Sequence, residues 1–247
     1  MSASLKTIET CLSPALFDSE QSKGTIVVII DILRATSSIC TAFANGAKAI
    51  IPVDEVEEAR KYKAKGCIIA AERDGITLDF ADFGNSPFNF TREAVENETI
   101  IYSTTNGTGL INQALLAEPA AIVVGAFLNI SALASWIDQQ EQNVTFFCAG
   151  WKKRFNLEDT IFAGAVSEKL MQTARYSTNC DSTHAAIDLW LAAKNDLRGY
   201  IEKTAQRTRL REKKLDDCID FCLQQDFTTC IPVLQNGRLI PFRIENQ

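Results

Sequence analysis

The sequence predicts an α/β protein, with a three-layer α/β/α fold and a parallel or mixed sheet, on three observations. Apolar segments that resemble strands alternate with helical patterns, which is typical of a layered sheet. Residues 26–31 form an unbroken run rich in Val and Ile, as expected of a parallel strand covered on both faces. The 247 residues are 46% hydrophobic and 23% charged, which is enough to bury a sizeable core. The predicted strands are 26–31, 48–53, 67–71, 99–103, 120–125 and 144–148.

Helix signals fall between these strands in order. Asp54 and Glu57 have the spacing of a capping box and predict a helix over about 55–65. Pro87 follows Asn85 and Ser86 and indicates a helix start, because proline is tolerated in the first turn. The remaining helices are predicted from a cap at Asn129 to about Gln139, from about 158 to about 174, and near 110–116.

The carboxyl-terminal third changes character. Residues 183–225 are mostly helical in pattern, and their basic run is expected to be a solvated helix face. Asn236-Gly237 lies between two apolar segments and predicts a β-hairpin over 231–241. We predict a single domain over 1–247, while two related subdomains divided near 125–145 remain the alternative. The basic run contains Arg207, Arg209, Arg211, Lys213 and Lys214.

Charge and composition exclude several classes of function. A net charge of -6 is unsuited to binding duplex nucleic acid or an anionic membrane. No apolar segment approaches the roughly 18 residues of a membrane span, and the first residues lack the apolar core of an export signal. A cytoplasmic protein with a small-molecule substrate is expected, with assembly into a homo-oligomer left open.

Cysteine and histidine usage narrows the chemistry further. Eight cysteines in a chain of this size without an export signal are expected to be reduced. His184 is the single histidine, so a three-histidine metal site is excluded and most catalytic-triad chemistry is disfavoured.

The end of the strand at 26–31 carries the strongest functional signal. Asp31, Arg34 and Thr36 place an acid, a guanidinium and a hydroxyl directly after it. Ligands of open α/β sheets bind at the carboxyl ends of strands, so these groups are candidates for a site. The alternative is that Asp31 and Arg34 form an ion pair at the strand end.

A donor-rich turn follows the strand at 99–103. Small residues there let backbone amides approach an anion, and the following helix start adds donors, so the turn is a candidate phosphate cradle. It matches neither the Walker motif nor the dinucleotide fingerprint, and an ordinary Asn-Gly turn is the alternative. The turn contains Thr104, Thr105, Asn106, Gly107 and Thr108.

Two further strand ends carry charged groups. Glu72 and Arg73 pair a carboxylate with a guanidinium suited to gripping phosphate, unless they form a structural salt bridge. Glu158 and Asp159 begin a helix, where the macrodipole stabilises acidic side chains, but adjacent carboxylates also suit a hard cation such as magnesium. Together with Asp31 and Glu72 they are the candidate ligands.

Cys148 and Arg154 offer a competing chemistry. Their spacing is that of cysteine phosphatases, which need a thiolate nucleophile. The bulky Trp151 in the intervening loop and Phe155 after the arginine disfavour that interpretation, and Cys148 is expected to be a buried strand residue.

Several of these motifs occur together, and in the same order, in one known family. The sequence resembles the magnesium-dependent 2-phosphosulfolactate phosphatases over roughly residues 25–170, and more loosely through 215–232. The matching segments are Asp31-Ile32-Leu33-Arg34-Ala35-Thr36, Glu72-Arg73, Gly84-Asn85-Ser86-Pro87, Thr104-Thr105-Asn106-Gly107-Thr108, and Gly150 with Phe155 through Glu158-Asp159-Thr160 and Gly164.

The resemblance implies a magnesium ion and hydrolysis of a phosphate ester of sulfolactate, an activity associated with coenzyme M synthesis. Asp31, Arg34, Glu72 and Arg73 are then the expected catalytic residues, with Asp31 either a metal ligand or a nucleophile. A non-catalytic protein that binds a phosphorylated metabolite is the alternative. The expected phosphate- and substrate-binding residues are Thr36, Asn85, Ser86, Thr104, Thr105, Asn106, Gly107, Thr108, Lys152 and Arg154.

Overall fold

A computed structural model of the chain describes residues 5–105 and 107–243. These residues form one mixed sheet with helices packed on it, which confirms the predicted fold class. The strands are β1 (Lys6–Cys11), β2 (Ile26–Ile30), β3 (Ala49–Pro52), β4 (Ile68–Arg73), β5 (Ile76–Thr77), β6 (Thr99–Ser103), β7 (Ala121–Gly125), β8 (Val144–Cys148), β9 (Tyr176–Ser177), β10 (Cys230–Gln235) and β11 (Arg238–Arg243). The helices are α1 (Ala35–Ala44), α2 (Val56–Lys63), α3 (Arg92–Val95), α4 (Gly107–Leu115), α5 (Ile130–Asp138), α6 (Leu157–Met171), α7 (Asp181–Ala193), α8 (Leu197–Ile201), α9 (Ala205–Glu212) and α10 (Ile219–Cys222).

The sheet consists of two parallel blocks joined by a hairpin, in the order β5-β4-β6-β3-β11-β10-β7-β2-β8-β1-β9. Strands β4, β6 and β3 run parallel to one another, as do β7, β2, β8, β1 and β9. The antiparallel β10–β11 hairpin pairs with β3 on one side and with β7 on the other. The sheet is therefore continuous, and the predicted carboxyl-terminal hairpin is the element that connects its two halves.

Burial explains why the central strands are uniformly apolar. Every residue of β2 and of β8 is buried. Side chains alternate between the two faces of a strand, so complete burial means that both faces of the sheet are covered there. This observation supports the predicted three-layer arrangement.

The sheet bends strongly between its two halves. Five strand spacings separate β6 from β2, which is about 24 Å in a flat sheet at 4.8 Å per strand. Helix α4, which follows β6, nevertheless packs against both β6 and β2. A Cβ atom added to Gly107 at the start of this helix would lie 3.8 Å from Asp31 Oδ2. The bend therefore brings the carboxyl end of β6 to that of β2.

The predicted elements are largely confirmed, with local differences at their ends. The structure adds strands β1, β5 and β9, which were not predicted from the sequence. The capping box at Asp54 is wrong: Glu55 is the N-cap of α2, and Asp54 Oδ2 accepts a hydrogen bond from the Asn112 amide instead. Pro87 opens only a short 3₁₀ turn, Pro87–Asn89. Within residues 5–105 and 107–243, none of the helices is both long and apolar enough to cross a bilayer.

Candidate active site

The carboxyl ends of strands from both halves of the sheet border one cleft. It encloses about 530 Å³ of space free of atoms, counting the part open to solvent. Helix α9 and the residue after it supply the opposite wall. The residues lining the cleft are Asp31, Leu33, Arg34, Glu72, Asp74, Gly75, Asn85, Gly150, Trp151, Asn156, Gln206, Arg209, Leu210 and Lys213.

Asp31 lies in a tight turn between β2 and α1. Its backbone N–H donates to Thr36 Oγ1 at 3.1 Å, so Thr36 holds the turn closed. Asp31 Oδ1 accepts a long hydrogen bond of 3.4 Å from Ala35 N–H, and Oδ2 accepts none from the described residues. Burial, and then the nearby carboxylate of Asp159, raise the pKa of Asp31 well above its usual range. The Asp31 carboxylate is thus held in place but poorly satisfied by the protein.

Arg34 is a buried guanidinium at the same strand end. It is 4% exposed and forms no salt bridge to a carboxylate in the described part of the chain. Among the described residues, the hydrogen-bond partner of its guanidinium is the Cys218 thiol, with Nη1 at 4.0 Å from Sγ. The ion-pair alternative for Asp31 and Arg34 is therefore not supported. A buried cation without an anionic partner suits an anionic ligand.

The Glu72 carboxylate lines the cleft and also fixes two loops. Its Oε1 accepts from Thr105 N–H at 2.7 Å, and its Oε2 accepts from Gly75 N–H and from the Thr105 hydroxyl. Arg73 donates to the carbonyl oxygens of Glu72 and Asp54 and to Ser103 Oγ, and it does not line the cleft. The predicted phosphate grip of Arg73 has no support in this geometry, because its guanidinium already binds the sheet edge.

The predicted phosphate cradle adjoins Asp31 through the start of α4. Thr104 Oγ1 accepts from Gly107 N–H at 3.0 Å, and the Thr108 hydroxyl donates to the Thr104 carbonyl. A side chain at Gly107 would approach Ala35 Cβ to 3.0 Å, so glycine permits the close contact with the Asp31 turn. The hydroxyls of this segment are used within the protein, and none of its described residues lines the cleft, so its predicted contact with phosphate stays a prediction. Asn106 lies outside the described residues.

Glu158 and Asp159 occupy the first turn of α6 and differ sharply in their surroundings. Asp159 accepts from Ile32 N–H at 2.8 Å and from Gly150 N–H at 3.1 Å, and so ties the Asp31 turn to the loop after β8. Both carboxylate oxygens of Glu158 are buried without a hydrogen-bond partner. Burial raises the pKa of Glu158 to about 7, and burial together with the Glu158 charge raises that of Asp159 to about 8.

The four predicted metal ligands therefore fall into two pairs. Glu72 and Asp159 each accept two or more hydrogen bonds of 3.1 Å or less from the protein. Asp31 accepts one long bond, and Glu158 accepts none from the described residues. Within residues 5–105 and 107–243, no group of three or more acidic, cysteine or histidine side chains is placed to hold a metal ion by itself. A magnesium ion fits two carboxylates, since it keeps several waters and completes its shell with substrate phosphate. The four-ligand set stays a prediction, and Asp31 and Glu158 are its best-supported members.

The loop after β8 is a tight hairpin, and its basic residues Lys152 and Arg154 do not line the cleft. Trp151 and Arg154 exchange backbone hydrogen bonds of 2.9 Å across Lys152 and Lys153, both with positive φ. Lys152 pairs with Asp74 at 3.3 Å, and Arg154 is exposed and borders a neighbouring groove rather than the cleft. Neither contacts the Asp31 turn, so their predicted contact with the substrate stays a prediction.

Asn85 is buried and the neighbouring Ser86 is partly exposed. Asn85 lines the cleft and accepts a hydrogen bond from the Tyr102 hydroxyl. Ser86 Oγ is buried without a partner, and it does not line the cleft. Asn85 is therefore the member of the predicted pair that a ligand can reach.

The geometry opposes cysteine chemistry at Cys148. This thiol is fully buried in β8, and burial raises its pKa well above its usual range, whereas a nucleophilic cysteine needs a lowered pKa and an accessible sulfur. The prediction of a buried strand residue is confirmed.

Sequence reasoning missed the wall that α9 supplies. The basic run was expected to be solvated, but Arg207 is buried and Arg209 and Lys213 line the cleft. Gln206 Nε2 donates to the Leu33 carbonyl at 2.8 Å and anchors the helix on the Asp31 turn. The sequence offered only a weak sign of this wall. Arginines at alternate positions of a helix lie on different faces, so they are not all equally exposed to solvent.

Comparison with known proteins agrees with this site. The family model described as 2-phosphosulpholactate phosphatase matches residues 11–237. The chain belongs to this family. It is 35% identical over 237 residues to a probable 2-phosphosulfolactate phosphatase of Caldanaerobacter subterraneus subsp. tengcongensis, covering 94% of this chain and 96% of the relative. It is 35% identical over 213 residues to the protein of that name from Thermotoga maritima, with 86% and 90% covered, and 31% identical over 236 residues to that from Clostridium acetobutylicum, with 94% and 99% covered.

Membership of the 2-phosphosulpholactate phosphatase family confirms the resemblance inferred from the motifs. The matched range extends past residues 25–170 and includes α9 and β10, the elements that close the cleft and join the sheet. The carboxyl-terminal third is thus part of the family's common fold, and the chemistry expected of the cleft is that of a phosphoric monoester hydrolase.

Proposed function

We propose that the protein is a magnesium-dependent phosphatase that hydrolyses 2-phospho-3-sulfolactate to 3-sulfolactate and phosphate. The observation that carries the proposal is the cleft in which the buried guanidinium of Arg34 lies with the poorly satisfied carboxylate of Asp31. Glu158, a buried carboxylate without a hydrogen-bond partner among the described residues, lines the groove that adjoins this cleft. Family membership and the names of the relatives support the substrate.

Each group has a distinct part in this reaction. Asp31 and Glu158 would hold the magnesium ion, whose charge would offset that of the phosphoryl group and lower the pKa of a water. Arg34 and the amino-terminal ends of α1 and α4 bind the phosphoryl oxygens, since both favour negative charge. Glu72 and Asp159 carry no direct step; their hydrogen bonds keep the surrounding loops in register.

Asp31 has a second candidate role as a nucleophile. In that case its carboxylate oxygen forms a bond to phosphorus, the ester oxygen departs with a proton from solvent, and water then cleaves the aspartyl phosphate. An acid-quenched single turnover with labelled substrate separates the two roles, because only the nucleophilic route leaves phosphate bound to the protein.

The experiment for the function is phosphate release from a panel of phosphorylated sulfonates and hydroxy acids, with magnesium or with EDTA. We expect 2-phosphosulfolactate to turn over fastest and EDTA to abolish the reaction. Asp31→Asn should lose at least 100-fold in kcat, a loss expected when a positioned charged group is removed. Asp79→Asn, at an exposed position, is the matched control and should retain activity. Binding of esters without metal-dependent turnover of any would instead indicate a non-catalytic binding protein.

A further inference from the structure

Helix α9 presents three arginines, and only one of them lacks an acidic partner. Arg207 pairs with Glu202 and Asp216, and Arg211 pairs with Glu202. Arg209 has no carboxylate within ion-pair distance among the described residues, and it is the one of the three that lines the cleft. The Glu158 carboxylate acts on it from beyond that distance, across the adjoining groove that both residues line. The first two arginines therefore hold the helical segment together, and Arg209 is left for another role.

Arg209 is held in one orientation by uncharged neighbours. Its guanidinium carbon lies 4.6 Å from the centre of the Trp151 ring. Its Nε donates to Gln206 Oε1 at 2.9 Å, and Gln206 in turn donates to the Leu33 carbonyl beside Arg34. The two terminal Nη groups donate to none of the described residues. A guanidinium that is stacked on an aromatic ring and has both Nη groups available is oriented to bind a carboxylate or sulfonate group.

The charge of the cleft makes a second cation necessary for an anionic substrate. Its walls carry buried carboxylates, and the phosphate is assigned to Arg34. Lys152, outside the cleft, pairs with the Asp74 carboxylate, and Lys213, which lines the cleft, donates to the Asp74 carbonyl oxygen. Arg209 is the remaining guanidinium of the cleft without an ion pair, and it lies on the α9 side, across from the Asp31 turn.

We propose that Arg209, supported by Trp151 and Gln206, is the specificity residue that binds a second, non-phosphate acid group of the substrate. This inference deepens the proposed function and rests on it for the identity of the substrate. Arg34 then selects for the phosphate and Arg209 for the acid at the other end. Esters with only one acidic group are disfavoured because they leave Arg209, in a partly desolvated position, with no anion nearer than the Glu158 carboxylate.

The test measures binding, so it does not depend on turnover. Calorimetry gives the dissociation constants of 3-sulfolactate and of inorganic phosphate for the wild type, Arg209→Ala, Arg209→Lys and the control Arg211→Ala, all with magnesium. We expect Arg209→Ala to weaken 3-sulfolactate binding about 10- to 100-fold, as for loss of a charge-assisted hydrogen bond, and to change phosphate binding less than about threefold. Arg209→Lys should recover part of the loss, and Arg211→Ala should resemble the wild type.

Equal weakening of both ligands, or weakening of neither, would overturn the assignment. Repeating the titration with lactate, and with a sulfonate that has no carboxylate, distinguishes which acid Arg209 binds: the affinity that falls in Arg209→Ala identifies the group. Failure of the proposed function has a different signature, because the wild type would then release no phosphate from any ester whatever Arg209 binds.

Discussion

Replacing Glu158 by glutamine should change how the stability of the metal-free protein depends on pH. Burial raises the pKa of this carboxyl from 4.5 to about 7 in the folded state. Between these values the folded protein binds a proton that the unfolded chain releases, so stability falls as the pH rises through the window. The shift of about 2.5 pKa units corresponds to roughly 3 kcal/mol lost by the wild type once both states are ionised.

Measuring stability at two pH values separates the titration of Glu158 from any destabilisation by the buried glutamine amide, because the amide does not titrate. Urea unfolding of EDTA-treated wild type and Glu158→Gln at about pH 5 and pH 8 gives four free energies of unfolding. The wild type should lose roughly 2 to 3 kcal/mol more than the variant between these two values. In the variant the Glu158 charge no longer raises the pKa of Asp159, so Asp159 also contributes less to the loss of stability with rising pH. Glu58→Gln, at an exposed position, is the control and should follow the wild type.

At the higher pH, adding magnesium should make the wild type more stable than Glu158→Gln, because a cation bound to Glu158 stabilises the folded wild type and not the variant. Parallel pH profiles for wild type and Glu158→Gln without metal would refute the account of Glu158 as an unpaired buried carboxylate.

Three other changes test separate parts of the structure. Glu72→Gln should lower the free energy of unfolding by about 1.5 to 3 kcal/mol, measured in urea, since an amide nitrogen cannot accept the bonds from Gly75 and Thr105; no loss would contradict the loop-fixing role. Gly150→Ala should lower the melting temperature and the activity, because the new Cβ would lie 2.0 Å from the Arg154 carbonyl oxygen at a φ of +58°. Cys148→Ser should retain turnover, and loss of activity that EDTA does not reproduce would revive cysteine chemistry.

The strand ends could be predicted because their signals are local. The buried run at 26–31 and the general position of ligands at the carboxyl edge of α/β sheets were enough to single out Asp31 and Arg34. Glu158 was also found, because paired acids at a helix start stand out in a sequence.

What the sequence did not reveal depends on contacts between distant segments. Arg73 has the composition of a phosphate grip, but its guanidinium meets the Asp54 carbonyl and Ser103 once the sheet forms. Arg209 belongs to a run of charged residues whose sequence predicts a solvated helix face. The helix lies against the cleft because Gln206 donates to the Leu33 carbonyl, 173 positions away in the chain. The bend of the sheet that brings β6 to β2 likewise appears only in the folded chain, because no local pattern in the sequence reveals it.

The most direct test of the central claim is phosphate release from 2-phosphosulfolactate by the purified protein with magnesium, with and without EDTA, beside Asp31→Asn. The account predicts metal-dependent release by the wild type and a loss of at least 100-fold in the variant. Turnover that survives both EDTA and Asp31→Asn would contradict the assignment of the reaction to this cleft.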